Sequence, residues 1–180
     1  MNLPELDQLV EALRDSITQE PKRVAERLRA YASNHDDWRP FAFFAEGCYT
    51  RNLVARDARF ELLLLCWDVG QESPIHNHEG QNCWMSVLEG TLEELRYPMP
   101  EPGHTGPLNA HESYLYEAGN VAFIRDEMGL HLVRPVGGRA VSLHLYATPY
   151  AECNVYCPET GRISRKRMSD YSVRGQLANA

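Results

Sequence analysis

No stretch of this 180-residue chain approaches the roughly 20 consecutive apolar residues that cross a bilayer as a helix. Nor does it open on a basic and then apolar leader, since Pro4, Glu5 and Asp7 stand there instead. Positive charge is scarce, with 18 Lys and Arg against 25 Asp and Glu, and it gathers only near the end at Arg162, Arg165, Lys166 and Arg167. A formal charge of −7 offers no field to a phosphate backbone, so neither nucleic acid nor a membrane is expected as a partner. The five cysteines, Cys48, Cys66, Cys83, Cys153 and Cys157, form no C-x-x-C pair. Their odd number, without a secretory context, argues against a disulfide framework, and the missing pair argues against a zinc ribbon. Internal repeats, low-complexity segments and linkers are absent too. What remains is a soluble, cytoplasmic chain whose length fits one domain. No exposed apolar strand suggests itself as a pairing edge, so a monomer is expected.

Helical periodicity is confined to the start. Leu6, Leu9, Val10, Leu13 and Ile17 recur at helical spacing, and Pro21 suits the first turn of a second helix carrying Val24, Leu28 and Tyr31. From Cys48 onward the pattern changes to short runs of β-formers: 53–54, 60–67, 83–88, 91–97, 113–116, 121–124, 131–133 and 141–146. Turn residues such as Gly70, Gly80, Gly90, Gly119 and Gly137-Gly138 separate them. Many short strands with no helices between them predict a mainly β fold, an antiparallel barrel (48–180) behind a helical N-terminal cap (1–47). The Pro-, Gly- and His-rich stretch 98–111 reads as a surface loop.

The histidines carry information by placement. His76 and His78 form H-x-H, and an extended backbone would send both imidazoles from one face, roughly 6.5 to 7 Å apart, where they can converge on a metal. An isolated H-x-H is more often a pair of surface histidines, so the flanking spacing matters. Gly70 lies six residues before His76, Cys83 five after His78 and Gly90 seven after Cys83. That spacing resembles the first motif of the cupins, G-x5-H-x-H-x3-4-E-x6-G, with Cys83 where most cupins place a metal-binding glutamate. His131, after Gly129, fits the third histidine of the second cupin motif. Three neutral imidazoles without a carboxylate leave a divalent metal its full charge and open positions for an anionic thiolate.

Strand alternation over 141–146 sets Ser142, His144 and Tyr146 on one face and Val141, Leu143 and Leu145 on the other. A face that is wholly hydrogen-bonding belongs on solvent or in a site, and a barrel with inward histidines favours the site.

Together with Tyr49-Thr50-Arg51-Asn52-Leu53-Val54, Leu65-Cys66-Trp67, Ile75-His76-Asn77-His78, Cys83, Gly129-Leu130-His131 and Ser142-Leu143-His144-Leu145-Tyr146, the chain resembles the thiol dioxygenase family. Within that family it is most similar to the cysteine dioxygenases, from about Tyr31 to Arg167. The resemblance implies a small cupin-type β-barrel holding Fe(II) on His76, His78 and His131. It further implies conversion of L-cysteine and dioxygen to cysteine sulfinate. By the family pattern Arg51 grips the substrate carboxylate with Tyr49 nearby, a role that suits a planar, permanently charged fork. Tyr146 would hydrogen-bond substrate and oxygen, His144 would orient the phenol and Ser142 would hold His144. In many relatives the equivalents of Cys83 and Tyr146 are joined by a thioether, whereas others carry glycine at the cysteine position. Cys153 matches a cysteine near the pocket mouth in some relatives.

The pattern is departed from at Ala147-Thr148-Pro149, where the family usually has Ser-Pro-Pro, so a cis X-Pro bond is not expected to carry over. Enzymes for 3-mercaptopropionate resemble this chain but usually carry glutamine where Arg51 stands, which favours cysteine. A non-catalytic, metal-binding cupin is the reading from another class; Arg51, Tyr146 and three histidines together argue against it.

Overall fold

A computed structural model describes residues 4–178 of the chain. Helices α1 (Pro4–Ser16) and α2 (Pro21–Asn34) form where apolar residues recur every three or four positions, and Pro21 sits in the first turn of α2. Their buried faces, Leu6, Leu9 and Leu13 from α1 with Val24, Leu28 and Tyr31 from α2, rest on the outside of a large sheet.

That sheet has seven strands. Its members are β1 (Thr50–Arg56), β2 (Glu61–Trp67), β4 (Asn82–Glu89), β7 (Val121–Ile124), β9 (Ala140–Ala147), β12 (Ser172–Val173) and β13 (Gln176–Leu177), in the order β13-β12-β1-β2-β9-β4-β7. A second sheet has six: β3 (Ile75–His76), β5 (Thr91–Tyr97), β6 (Glu112–Glu117), β8 (Leu130–Pro135), β10 (Glu152–Tyr156) and β11 (Ile163–Arg167), in the order β11-β10-β3-β8-β5-β6. Apolar side chains of both meet between them, Leu63, Leu65 and Met85 from one sheet with Leu92 and Val133 from the other. The expected mainly β architecture behind two helices is thus present as two facing sheets, and among the described residues no hydrogen bonding closes them into one ring.

Strand β2 explains how the layers fit. Every residue of Glu61-Leu-Leu-Leu-Leu-Cys-Trp67 is buried, because Leu62, Leu64 and Cys66 face the helices while Leu63, Leu65 and Trp67 face the other sheet. Its neighbour β9 alternates in register, with Leu63 opposite His144 and Leu65 opposite Ser142. Val141, Leu143 and Leu145 join the helix-covered core, which turns Ser142, His144 and Tyr146 into the space between the sheets. The helices therefore cover the apolar face of the strand that carries the polar one.

Strands β10 to β13 go beyond the runs of β-formers that the sequence marks. In β11 every residue is exposed, so Ile163-Ser-Arg-Lys-Arg167 reads in sequence as a basic surface run, yet it pairs along its length with β10. An exposed strand with apolar side chains also exists, contrary to expectation. Strand β6 forms one edge of the six-stranded sheet, with Leu115 62% and Tyr114 39% exposed.

Candidate active site

His76 and His131 are direct partners across β3 and β8, and their Nε2 atoms lie 3.2 Å apart. His78 falls just beyond β3, so the H-x-H is not the continuous strand that alternation predicts. The chain turns there through Glu79 (φ 54°) and Gly80 (φ 76°). The carboxylate of Asp126 fixes that turn, accepting the N–H of His78 at 2.6 Å and of Gly80 at 2.7 Å. The His78 ring lies 5.2 Å from that of His76 and 4.7 Å from that of His131, centroid to centroid. All three rings are buried, and one nitrogen from each lies within 4.8 Å of the others, a group able to hold a metal ion.

The positions of the protons support a cation there. Nδ1 of His76 faces the Pro74 carbonyl at 2.9 Å, and Nδ1 of His131 faces Oε1 of Glu94 at 2.7 Å. Burial alone would raise the Glu94 pKa, but the His131 hydrogen bond and Arg96 outweigh it, so the carboxyl lies below its usual range and is ionised. A carbonyl and a carboxylate only accept, so the ring proton of His76 is assigned to Nδ1 and its Nε2 presents a lone pair toward His131 Nε2, 3.2 Å away. Burial, then the neighbouring His131, push His76 down to about 3, so that lone pair stays available to a metal ion. The same causes hold His78 well below its ordinary value. Both ring nitrogens of His78 are also buried without a partner, which a metal would supply to one of them.

On β9 the expected polar face forms a chain. Trp67 Nε1 donates to Ser142 Oγ at 3.0 Å, Ser142 Oγ lies 3.0 Å from His144 Nε2, and His144 Nδ1 lies 3.4 Å from the Tyr146 hydroxyl. Burial keeps His144 neutral, with its pKa well below the usual value. Cys83 lies directly opposite Tyr146 across the β4–β9 ladder. Burial pushes both groups up from their ordinary values.

Arg51, on β1, is 7% exposed and reaches Oε1 of Glu61 at 3.2 Å, while its Nε is buried without a partner. Its guanidinium carbon lies 5.7 Å from the centre of the Tyr146 ring. Burial opposes its charge, but Tyr146, Tyr150, Glu61 and Tyr49 around it more than compensate and raise its pKa. Tyr49 stacks on Trp67 with centroids 4.5 Å apart. Arg51, Tyr49, His76, His131, His144 and Tyr146 line one small cavity, which Met168 also borders. Cys153 is fully buried on β10.

One local expectation is corrected. The Ala147–Thr148 peptide bond, although it precedes no proline, is cis. Oε1 of Gln81 accepts from both the N–H and the hydroxyl of Thr148 there.

Sequence reasoning missed Glu61, Glu94 and Asp126, and it gave Trp67 no role. A signal for Glu94 exists: alternation along Thr91–Tyr97 puts Glu94 and Arg96 on the same inward side as Leu92, and charged residues at core-facing positions are rarely idle.

A family model described as "Cysteine dioxygenase type I" matches residues 4–159. "Cysteine dioxygenase type 1" of Rattus norvegicus is 36% identical over 86% of this chain and 78% of its own length. The protein of that name from Danio rerio is 34% identical over 90% of this chain and 81% of its own. That of Homo sapiens is 34% identical over 86% and 78%. Among solved structures, TT1209 from Thermus thermophilus superposes with a TM-score of 0.51 at 23% identity, covering 63% of this chain and 96% of that one. An uncharacterized conserved protein with a double-stranded beta-helix domain from Klebsiella pneumoniae gives 0.50 at 16% identity, covering 75% and 91%. The solved structures bear on the fold alone; the sequence relatives bear on more, and by their identity and coverage this chain belongs to the cysteine dioxygenase type I family.

Proposed function

We propose that the chain is a cytoplasmic non-haem iron enzyme that places both atoms of dioxygen on the sulfur of L-cysteine, yielding cysteine sulfinate. One observation carries the reading. His76 and His131 of the imidazole cluster border one small cavity together with the buried Arg51 guanidinium and the buried Tyr146 phenol. His76, His78 and His131 would hold Fe(II), which when bound supplies a seat for the thiolate and the activation of dioxygen. Imidazole ligands bring no negative charge of their own, so the positive charge of a bound metal would stay uncancelled from their side, which favours an anionic sulfur.

Arg51 supplies the second point of recognition. Glu61 takes one terminal nitrogen and leaves Nε unsatisfied, so donors remain for a substrate carboxylate held as a charge-assisted pair. Tyr49, stacked on Trp67, walls the carboxylate side. The Tyr146 hydroxyl lies 3.4 Å from His144 Nδ1; with the ring proton on that nitrogen, the phenol proton is free to serve substrate or oxygen. Met168 borders this cavity and also the surface depression that contains Lys166 and Arg167, so substrate enters past it. The working unit is a single domain, cap 1–47 on barrel 48–180, and a monomer. Glu112 and Glu117 at the two ends of β6 guard its open edge.

Metal analysis of the purified protein, with oxygen uptake on adding cysteine and mass identification of the product, tests the reading. Iron, uptake and sulfinate are expected. Faster uptake with 3-mercaptopropionate would move the assignment to that substrate, against the charge of Arg51. Zinc without uptake would leave a metal-binding scaffold.

A further inference from the structure

Glu94 divides its two carboxylate oxygens between separate tasks beside the histidine cluster. Oε1 meets His131 Nδ1 at 2.7 Å. Oε2 accepts from Arg96 Nε at 3.1 Å and from the Tyr116 hydroxyl at 3.3 Å. Arg96 is itself tied to the Phe123 carbonyl at 3.0 Å and stacked 5.0 Å from the Tyr114 ring. The carboxylate is fully buried, so it cannot swing away to water. Neither of the other rings is held this way: His76 has a neutral carbonyl, and His78 Nδ1 lies 3.8 Å from Asp126, too far for a hydrogen bond.

We infer that Glu94 is a positioning residue that locks His131 in its Nδ1–H tautomer, aims Nε2 into the cluster and strengthens that nitrogen as a metal donor. This rests on the reading of His131 as a metal ligand. The physical reason is twofold. A ring held at both ends loses less entropy on binding a metal, and an anion accepting the Nδ1 proton makes the opposite nitrogen more basic. Cys83 occupies the position where most cupins place a metal-binding glutamate, yet the site keeps a carboxylate one imidazole further out. Arg96 and Tyr116 satisfy its second oxygen, so the charge is buried without being left unpaired.

The test compares Glu94→Gln, Arg96→Gln and His131→Ala with the wild type in anaerobic ferrous iron binding, read by competition with a coloured chelator. Imidazole nitrogen NMR of the metal-free full chain is read alongside. Glu94→Gln is expected to weaken iron binding about 10- to 100-fold, and His131 in the wild type is expected as the Nδ1–H tautomer. Arg96→Gln breaks the same ion pair from the other side but leaves Oε1 on His131, so it should lower thermal stability while costing less iron affinity. Wild-type affinity in Glu94→Gln overturns the inference, as do equal losses in Glu94→Gln and Arg96→Gln, which would show a purely structural ion pair. Should Glu94→Gln not fold, the wild-type spectrum still decides, because an Nε2–H tautomer at His131 overturns the inference too. Undiminished iron binding in His131→Ala would instead defeat the underlying assignment of that ligand.

Discussion

Cys83 and Tyr146 occupy facing positions on adjacent strands, β4 and β9, with their side chains on the inner side of the sheet beside the histidine cluster. Neighbouring strands hold such pairs with Cβ atoms about 4.5 to 5.5 Å apart, close enough for a sulfur to reach a tyrosine ring. We therefore expect a thioether after turnover with iron, oxygen and thiol. Joining Sγ to a ring carbon removes one hydrogen from each residue, and dioxygen accepts the two protons and two electrons. The link closes a loop of 63 sequence steps (146 − 83), so the denatured chain is more compact. Active protein should run as two bands that reducing agent does not merge, the faster lighter by two hydrogens, and Cys83→Ser should give the slower band alone. One band of unmodified mass after repeated turnover would return Cys83 to the role of a buried thiol.

Alanine at His76, His78 or His131 is expected to abolish oxygen uptake and to strip most of the iron. Two imidazoles hold a divalent ion too weakly to stop its exchange with water. His131→Ala has an added cost, since Glu94 loses the donor to its Oε1. Iron content by elemental analysis, taken with circular dichroism to confirm folding, checks each variant. Full iron and full turnover in any one of them would remove that histidine from the metal site.

Arg51→Gln should raise the KM for cysteine and narrow its advantage over 3-mercaptopropionate. Losing a charge-assisted pair in a buried site costs on the order of 2 to 5 kcal/mol, part of it from the substrate carboxylate left unpaired. The fold should survive the change, because Glu61 keeps Arg56, whose guanidinium lies 2.7 Å from Oε2. Saturation curves for both thiols are the measurement, and identical curves for the variant and the parent would show that Arg51 does not touch substrate.

Strand alternation in the sequence is sufficient to assign Ser142, His144 and Tyr146 to one face, since β9 is regular and the period is strict. At His76 and His78 the regular strand ends after His76, yet the two rings still converge as alternation expects, and the turn that follows them is held by Asp126 from 48 residues away. Long-range acceptors such as Asp126 for His78 and Glu94 for His131 leave no periodic mark near the histidines they serve. The same applies to Arg51. Its partner Glu61 is visible as a charged residue opening an apolar run, but nothing local says that the two meet across β1 and β2. The edge strand β11 fails for another reason: it owes its form to pairing with β10, and its exposed side chains carry no burial pattern to read.

Acid should destabilise the metal-free protein earlier than its carboxylates alone would. Each histidine titrates near 6.5 in the unfolded chain, whereas in the fold burial, then His131, holds His76 down to about 3 and keeps His78 and His144 well below the usual value. Below about pH 6.5 the unfolded state takes up protons that the native state refuses, so stability is full above that pH and declines toward about 3. The slope is up to about 1.4 kcal/mol per pH unit for each such histidine. Melting temperatures should fall between about pH 6.5 and about pH 5, before most carboxylates titrate. A flat profile across that interval would mean that these rings are open to water.

The last expectation concerns the direction of the hydrogen-bond chain that ends at Tyr146. An indole N–H can only donate, so Trp67 Nε1 fixes Ser142 Oγ as its acceptor and leaves the serine proton to point elsewhere. We expect His144 Nε2, 3.0 Å away, to accept that proton, which would place the single proton of the neutral ring on Nδ1, facing the Tyr146 oxygen at 3.4 Å. With its oxygen accepting from His144, Tyr146 turns its own proton into the cavity. Trp67→Phe removes the donor that sets this order and frees the serine to rotate, at a cost of about 1 kcal/mol for one hydrogen bond, or several-fold in rate. Because the substitution leaves Arg51 and its Glu61 partner in place, the loss should fall on kcat with the KM for cysteine nearly unchanged, whereas Tyr146→Phe should lose far more. If Trp67→Phe raised KM and left kcat alone, the indole would be acting through its stacking on Tyr49 and not through the chain.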